Sequence, residues 1–141
     1  MDEQIIDWVS RKMEQHLSPE QIKILRATLK SAARAQAMEE ERDLIALFLS
    51  AKEIEGCSQR TIEYYENTLR KFEADISTPL HSTGTDELRE YLARYEFERG
   101  SSKVTIDNIR RIIASFFSWL EDEDYIVKSP ARRIKHVKTP K

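Results

Sequence analysis

Two stretches of the chain carry the same apolar stripe. Ile62, Tyr65, Leu69, Phe72 and Ile76 in the first match the spacing of Ile106, Ile109, Ile113, Phe116 and Leu120 in the second. Steps of three and four residues keep such positions on one side of an α-helix. Both stripes open on nearly the same words, Ser58-Gln-Arg-Thr61-Ile62-Glu63 and Ser102-Lys-Val-Thr105-Ile106-Asp107. Two long one-sided helices must bury their stripes against each other or against further apolar helices. The second also carries Ile112, Phe117 and Trp119. Its wider apolar arc marks it as the central helix. Alternating β-branched runs are absent, so the expected class is all-α.

The breaks agree with this. Only three glycines and four prolines occur in 141 residues, which favours long elements with few turns. Ser18-Pro19-Glu20-Gln21 reads as a helix start, with serine as N-cap, proline at the first position and glutamine closing a capping box. Before it, Ile5, Ile6, Trp8, Val9 and Met13 lie at helical spacing over about 2–16. After it, Ile22, Leu25, Leu29 and Ala33 do so over about 19–37. Glu39-Glu40-Glu41 is read as opening the next helix, since acids suit the positive end of the helix dipole. That helix buries Leu44, Leu47, Phe48 and Ala51 and stops at Gly56. The repeat helices follow at about 59–75 and 103–122. Between them lie a loop at 77–84 and a helix at 86–98, capped by Thr85 and ended by Gly100. Ser129 and Pro130 start one short turn, and the rest reads as linker. The expected division is a helical hairpin at 1–38, a four-helix core at 39–127 and a basic linker at 128–141.

Charge narrows the function. Formal net charge is −2, so no global basic signature for nucleic acid is present. The distribution is uneven: residues 121–124 are all acidic, whereas the last fourteen hold six lysines and arginines and no acid. Cys57 is the single cysteine, which fits a reducing cytoplasm. His16, His81 and His136 stand far apart, so no metal-ligand spacing, and hence no metal or other cofactor, is expected. The run Leu44–Leu49 is far too short to cross a bilayer, and the acidic N-terminus does not have the form of a signal peptide. Paired carboxylates at a constrained spacing, Ser/His/Asp sets and phosphate-cradling glycine loops are not visible, so no catalytic residue is assigned.

The repeated Ser-x-x-Thr starts admit two readings. One is capping, in which serine accepts a free N–H of the first turn. The other is anion contact, since a helix N-terminus presents N–H groups and partial positive charge. Arg60 and Lys103 would strengthen such a site, and Tyr64, Asn67 and Asn108 would reach base edges or sugars. On the outward faces of the two helices lie Arg60, Glu63, Asn67, Arg70 and Lys71, and Lys103, Asp107, Arg110 and Arg111. Glu63 and Asp107 oppose phosphate contact.

Taken together, these words resemble the N-terminal half of a tyrosine recombinase (phage-type integrase). The resemblance runs through Phe48-Leu49…Lys52, Gly56-Cys57-Ser58…Thr61-Ile62, Thr85-Asp-Glu-Leu88…Tyr91-Leu92, Ser102-Lys-Val-Thr105-Ile106, Ser115-Phe116-Phe117-Ser-Trp119-Leu120 and Tyr125-Ile126…Ser129-Pro130. It covers about 44–140. It implies a four-helix, SAM-like core-binding domain that closes on DNA with a catalytic domain as a C-shaped clamp, its second and fourth helices facing the major groove. Carried over by position, the implied contacts are Arg60, Thr61 and Tyr64, then Lys103, Thr105, Asn108 and Arg111, with Arg132, Arg133 and Lys135 on the linker. The implied partners are double-stranded DNA and other recombinase subunits, as a tetramer in the synaptic complex.

Two departures qualify the resemblance. The family's catalytic Arg, Lys, His-x-x-Arg and nucleophilic Tyr have no counterpart here, so this piece is expected to be non-catalytic and the full-length protein to be a strand-exchange enzyme. The hairpin at 1–38 reads as helical rather than as a β-rich arm-site domain. The alternative function is a helical protein–protein interaction module that mediates subunit assembly.

Overall fold

The computed structural model describes residues 3–138, and the regular secondary structure among them is all helical, with no strand. Six α-helices occur: α1 (Glu3–Met13), α2 (Pro19–Glu41), α3 (Leu44–Ile54), α4 (Gln59–Asp75), α5 (Thr85–Arg99) and α6 (Lys103–Asp122). A 3-10 turn at Leu80–Ser82 lies in the α4–α5 connection. The chain divides into two compact units, Met1–Arg42 and Asp43–Lys141.

The first unit is a helical hairpin. Ser18 and Gln21 form the reciprocal capping box: the Gln21 N–H donates to Ser18 Oγ at 3.2 Å, and the Ser18 N–H to Gln21 Oε1 at 2.9 Å. Arg26 on α2 pairs with Asp7 on α1 at 2.8 Å. Ile6 is buried, but Trp8, Ile24 and Met38 remain exposed. One expectation is corrected here. The helix expected to open at Glu39–Glu41 does not begin there; α2 continues through those residues. Nothing between Ala35 and Glu41 breaks a helix, and alanine, methionine and glutamate all favour one. The true start of α3 is set by Asp43, whose carboxylate accepts the Ala46 N–H at 3.1 Å.

The second unit is a four-helix bundle. α6 packs against α3, α4 and α5 and buries Ile106, Ile109, Ile112, Ile113, Phe116, Phe117 and Leu120, as its wide arc implied. The α4 stripe contributes Ile62, Leu69 and Phe72 to the same core, with Tyr65 and Ile76 partly buried beside them. Phe48 of α3 sits at the centre, fully buried, with ring centroids 5.4 Å from Phe116 and 5.7 Å from Trp119, both edge-on. Such edge-to-face pairs add to the gain from burial itself. Asp43 also receives two bonds from Arg70 of α4, at 2.8 and 3.0 Å. The Arg70 guanidinium holds the Asp43 carboxyl below its usual range, against the opposing effect of burial. Cap and fork together fix the start of α3 against α4.

The helix ends follow from local chemistry. Gly56 and Gly100 take left-handed conformations, with φ of 95° and 60°, where a side chain would be strained. At α5 the N-cap is Gly84, not Thr85. Glu87 accepts the Gly84 N–H at 3.1 Å, and Thr85 instead donates its hydroxyl to the Pro130 carbonyl at 2.7 Å.

That last bond belongs to a larger feature. The segment after α6, read from sequence as a linker, is packed on the bundle over 129–137. Ser129 and Ala131 are buried, and Ile134 and Val137 pack on the core. The Ser129 N–H donates to Glu121 at 2.6 Å, near the end of α6, and the Val137 N–H donates to Asp107 at 2.9 Å, near its start. The segment therefore runs back along α6 as a strap. Among the described residues no helix is long and apolar enough to cross a membrane.

Candidate nucleic-acid interface

Both repeated helix starts are caps. Ser58 Oγ accepts the Thr61 N–H at 3.2 Å, and Ser102 Oγ accepts the Thr105 N–H at the same distance. Each serine also hydrogen-bonds the threonine hydroxyl, at 2.9 Å and 3.1 Å. In the first pair Ser58 is the donor, so the Thr61 hydroxyl proton is left to point elsewhere. The caps thus fix both threonines in the first turn of their helices.

The outer face of α4 organises the surface. Arg60, Tyr64, Asn67 and Lys71 follow one another at steps of four, three and four, which places them in a row along the helix. Arg60, Thr61, Glu63, Tyr64 and Asn67 line one open concavity of about 440 Å³. Tyr64 and Asn67 also form the edge of a second, of about 320 Å³, between α4, α5 and α6. Thr68, Lys71, Tyr91, Tyr95, Thr105 and Ile109 complete its walls. Tyr64 is half exposed, whereas burial pushes the Tyr91 hydroxyl up to about 12. Tyr91 is therefore a neutral O–H at physiological pH. Arg60 and Lys71 form no ion pair among the described residues, so both cations are available to a ligand.

The structure brings Arg60, Thr61, Tyr64 and Thr105 of the expected contacts onto these two adjoining clefts. The others fall elsewhere. Lys103 Nζ is 2.8 Å from Glu96 across the Gly100 turn. Asn108 is exposed one turn beyond Thr105. Arg132 lies 3.8 Å from Glu121 at the far end of α6. Arg133 and Lys135 are exposed on the strap. Lys71, Thr68 and Tyr95 were not among the expected contacts. The i, i+4, i+7, i+11 row from Arg60 was the sequence signal that could have found Lys71.

Asp107 corrects a further expectation. Read as outward-facing, it is 3% exposed, because the strap covers it. Its carboxylate meets Arg110 Nε at 2.8 Å, Arg111 Nε at 3.0 Å, His136 Nδ1 at 3.2 Å and the Val137 N–H at 2.9 Å. Burial pushes this carboxyl up, but the Val137 and Arg110 bonds outweigh it and the net shift is downward. Arg110 is partly buried beside it, its side chain 14% exposed. The Arg111 side chain remains 60% exposed. One of the two acids expected to oppose phosphate contact is thus taken up as a structural anchor.

Comparison with known proteins places this geometry. Residues 44–126 match the family described as phage integrase, N-terminal SAM-like domain. The fold is similar to that of a solved integrase from mycobacterium phage Brujita, with a TM-score of 0.62 at 19% identity, covering 72% of this chain and 34% of that one. The chain thus spans about a third of the length of that integrase. No curated protein matches.

Proposed function

We propose, from the premise that this chain belongs to the phage integrase family through its N-terminal SAM-like domain, that Asp43–Lys141 is the DNA-binding domain of a site-specific tyrosine recombinase. In this reading it holds core-site duplex DNA in the cytoplasm during integration and excision of a mobile element. The catalytic Arg, Lys, His-x-x-Arg and Tyr would act from a separate domain of the whole recombinase, within a tetramer on DNA. The observation that carries the reading is the α4 row, with two unpaired cations flanking Tyr64 and Asn67 and joined by Thr105 of α6. Cations position a protein on phosphates, while amide and phenol groups can reach base edges.

With a net charge of −2, long-range attraction to DNA is weak, so binding must come from this face. If Arg60 and Lys71 each neutralise one phosphate, log Kobs should fall against log salt with a slope of about −2. Titration of the chain with random-sequence and candidate core-site duplexes at low salt, followed by backbone NMR, measures this. Shifts concentrated at Arg60, Tyr64, Lys71 and Thr105 are expected. Undisturbed signals there with every duplex would sink the proposal.

The hairpin supports a second reading, subunit assembly. Trp8, Ile24 and Met38 are exposed on a unit of two helices, and a partner subunit would gain by covering apolar side chains of this kind. Solution mass of the full chain should rise with concentration, and Trp8→Asp should abolish the rise. A monomer at all concentrations would remove this reading.

A further inference from the structure

Glu63 is the one acid on the candidate DNA face that the fold leaves without a task. It is exposed, it lines the concavity with Arg60, Thr61, Tyr64 and Asn67, and it has no hydrogen bond or ion pair among the described residues. Its neighbour Arg60 stands at i−3, a spacing that forms ion pairs elsewhere in this chain. Lys52–Glu55, Arg70–Glu73, Asp86–Arg89 and Asp107–Arg110 all do so. Arg60 and Glu63 do not, so both heads face outward from neighbouring turns.

Geometry decides what Glu63 can face. Arg60 and Lys71 are eleven residues apart, about 16 Å along the helix axis at 1.5 Å per residue. The major groove is about 12 Å wide. Cations at that separation can reach the phosphates on both sides of a groove that α4 crosses. The residues between them, Glu63, Tyr64 and Asn67, then lie over its floor. A carboxylate beside a phosphate would be repelled; over the floor it meets base edges. There its chemistry is selective, because an ionised carboxylate only accepts hydrogen bonds. The cytosine amino group donates one in the major groove, whereas guanine N7 and O6 only accept and the adenine amino group stands beside its own acceptor N7, which repels a carboxylate.

We propose that Glu63 is a specificity-determining residue that selects a cytosine in the bound duplex by accepting a hydrogen bond from its N4 amino group. The assignment rests on the DNA-binding reading above. It turns an acid that weakens general affinity into one that rejects wrong sequences. Asn67, one turn on along the same row, is placed to take adenine on an adjoining pair.

The test is enrichment of bound sequences from a randomised duplex pool at low salt, with the full chain and its Glu63→Gln and Glu63→Ala variants. Unchanged urea midpoints serve as the folding control. The unaltered chain should enrich cytosine at one position, with roughly tenfold preference over the other bases. Glu63→Gln should move that position toward adenine, which glutamine reads bidentately, and Glu63→Ala should flatten it while leaving neighbouring positions intact. If both variants enrich the same sequences as the unaltered chain and merely bind all of them more tightly, Glu63 acts by repulsion alone and the assignment is overturned. If the unaltered chain binds no duplex at all, the DNA-binding reading fails and the assignment falls with it.

Discussion

Asp107→Ala is expected to destabilise the Asp43–Lys141 unit by about 3 kcal/mol, the loss typical of stranding one half of a buried charge pair. The carboxylate holds Arg110, Arg111, His136 and the Val137 N–H together. Removing it leaves Arg110 largely buried without a counter-charge and Val137 without an acceptor. Asp107→Asn keeps the shape and one acceptor and should lose less, about 2 kcal/mol. Urea unfolding measures the totals. Amide exchange locates them: protection at Val137 should vanish in Asp107→Ala, with faster exchange spreading toward Ala131. If 129–137 keeps its protection, the strap is held by the packing of Ala131, Ile134 and Val137 alone. The pH dependence has a definite sign. The folded-state pKa lies below the ordinary 3.8, so the carboxylate's contribution is complete above that value. It is lost as pH falls through the lower folded-state value. Unaltered protein and Asp107→Ala should therefore converge in stability only in acid below pH 3.8.

Asp107 also shows where sequence reading ran out. The bounds of α4 and α6, their serine caps and their apolar stripes are set within a few residues of each position, and all were legible. So was the SAM-like bundle, through the order and spacing of its words. The failures share a cause, which is that the deciding partner is distant in sequence. A helical wheel puts Asp107 outward; a strap thirty residues on buries it. Lys103 looked like a free cation, but its partner Glu96 is reached only because Gly100 reverses the chain. Thr85 fits a cap by composition, yet its hydroxyl is taken by Pro130. The α2–α3 boundary failed differently. Three acids suit a helix start by charge, but the stronger local signal is one aspartate followed by Leu44. In the candidate site, Arg60, Thr61 and Tyr64 were legible because they lie within two turns of a recognisable cap. Lys71 lies three turns from that cap, and only the same row leads there.

The same row yields the sharpest functional test. Arg60→Ala with Lys71→Ala is expected to weaken duplex binding on the order of a hundredfold at low salt, each cation accounting for roughly tenfold. The salt slope should flatten by about 1.8, the share of two phosphates. Stability should stay within about 0.5 kcal/mol, since neither side chain has an ion-pair partner to lose. Lys103→Ala should behave differently. Its ammonium is already engaged by Glu96 at 2.8 Å, so part of any gain from phosphate is offset by breaking that pair. A loss under about threefold is expected. Anisotropy titrations of the three proteins across a salt series separate the cases. If Lys103→Ala proves the more damaging change, the α6 start rather than the α4 row anchors the duplex. The geometric argument for α4 spanning the groove would then have to be abandoned, because it depends on cations at both ends of one helix reaching opposite backbones.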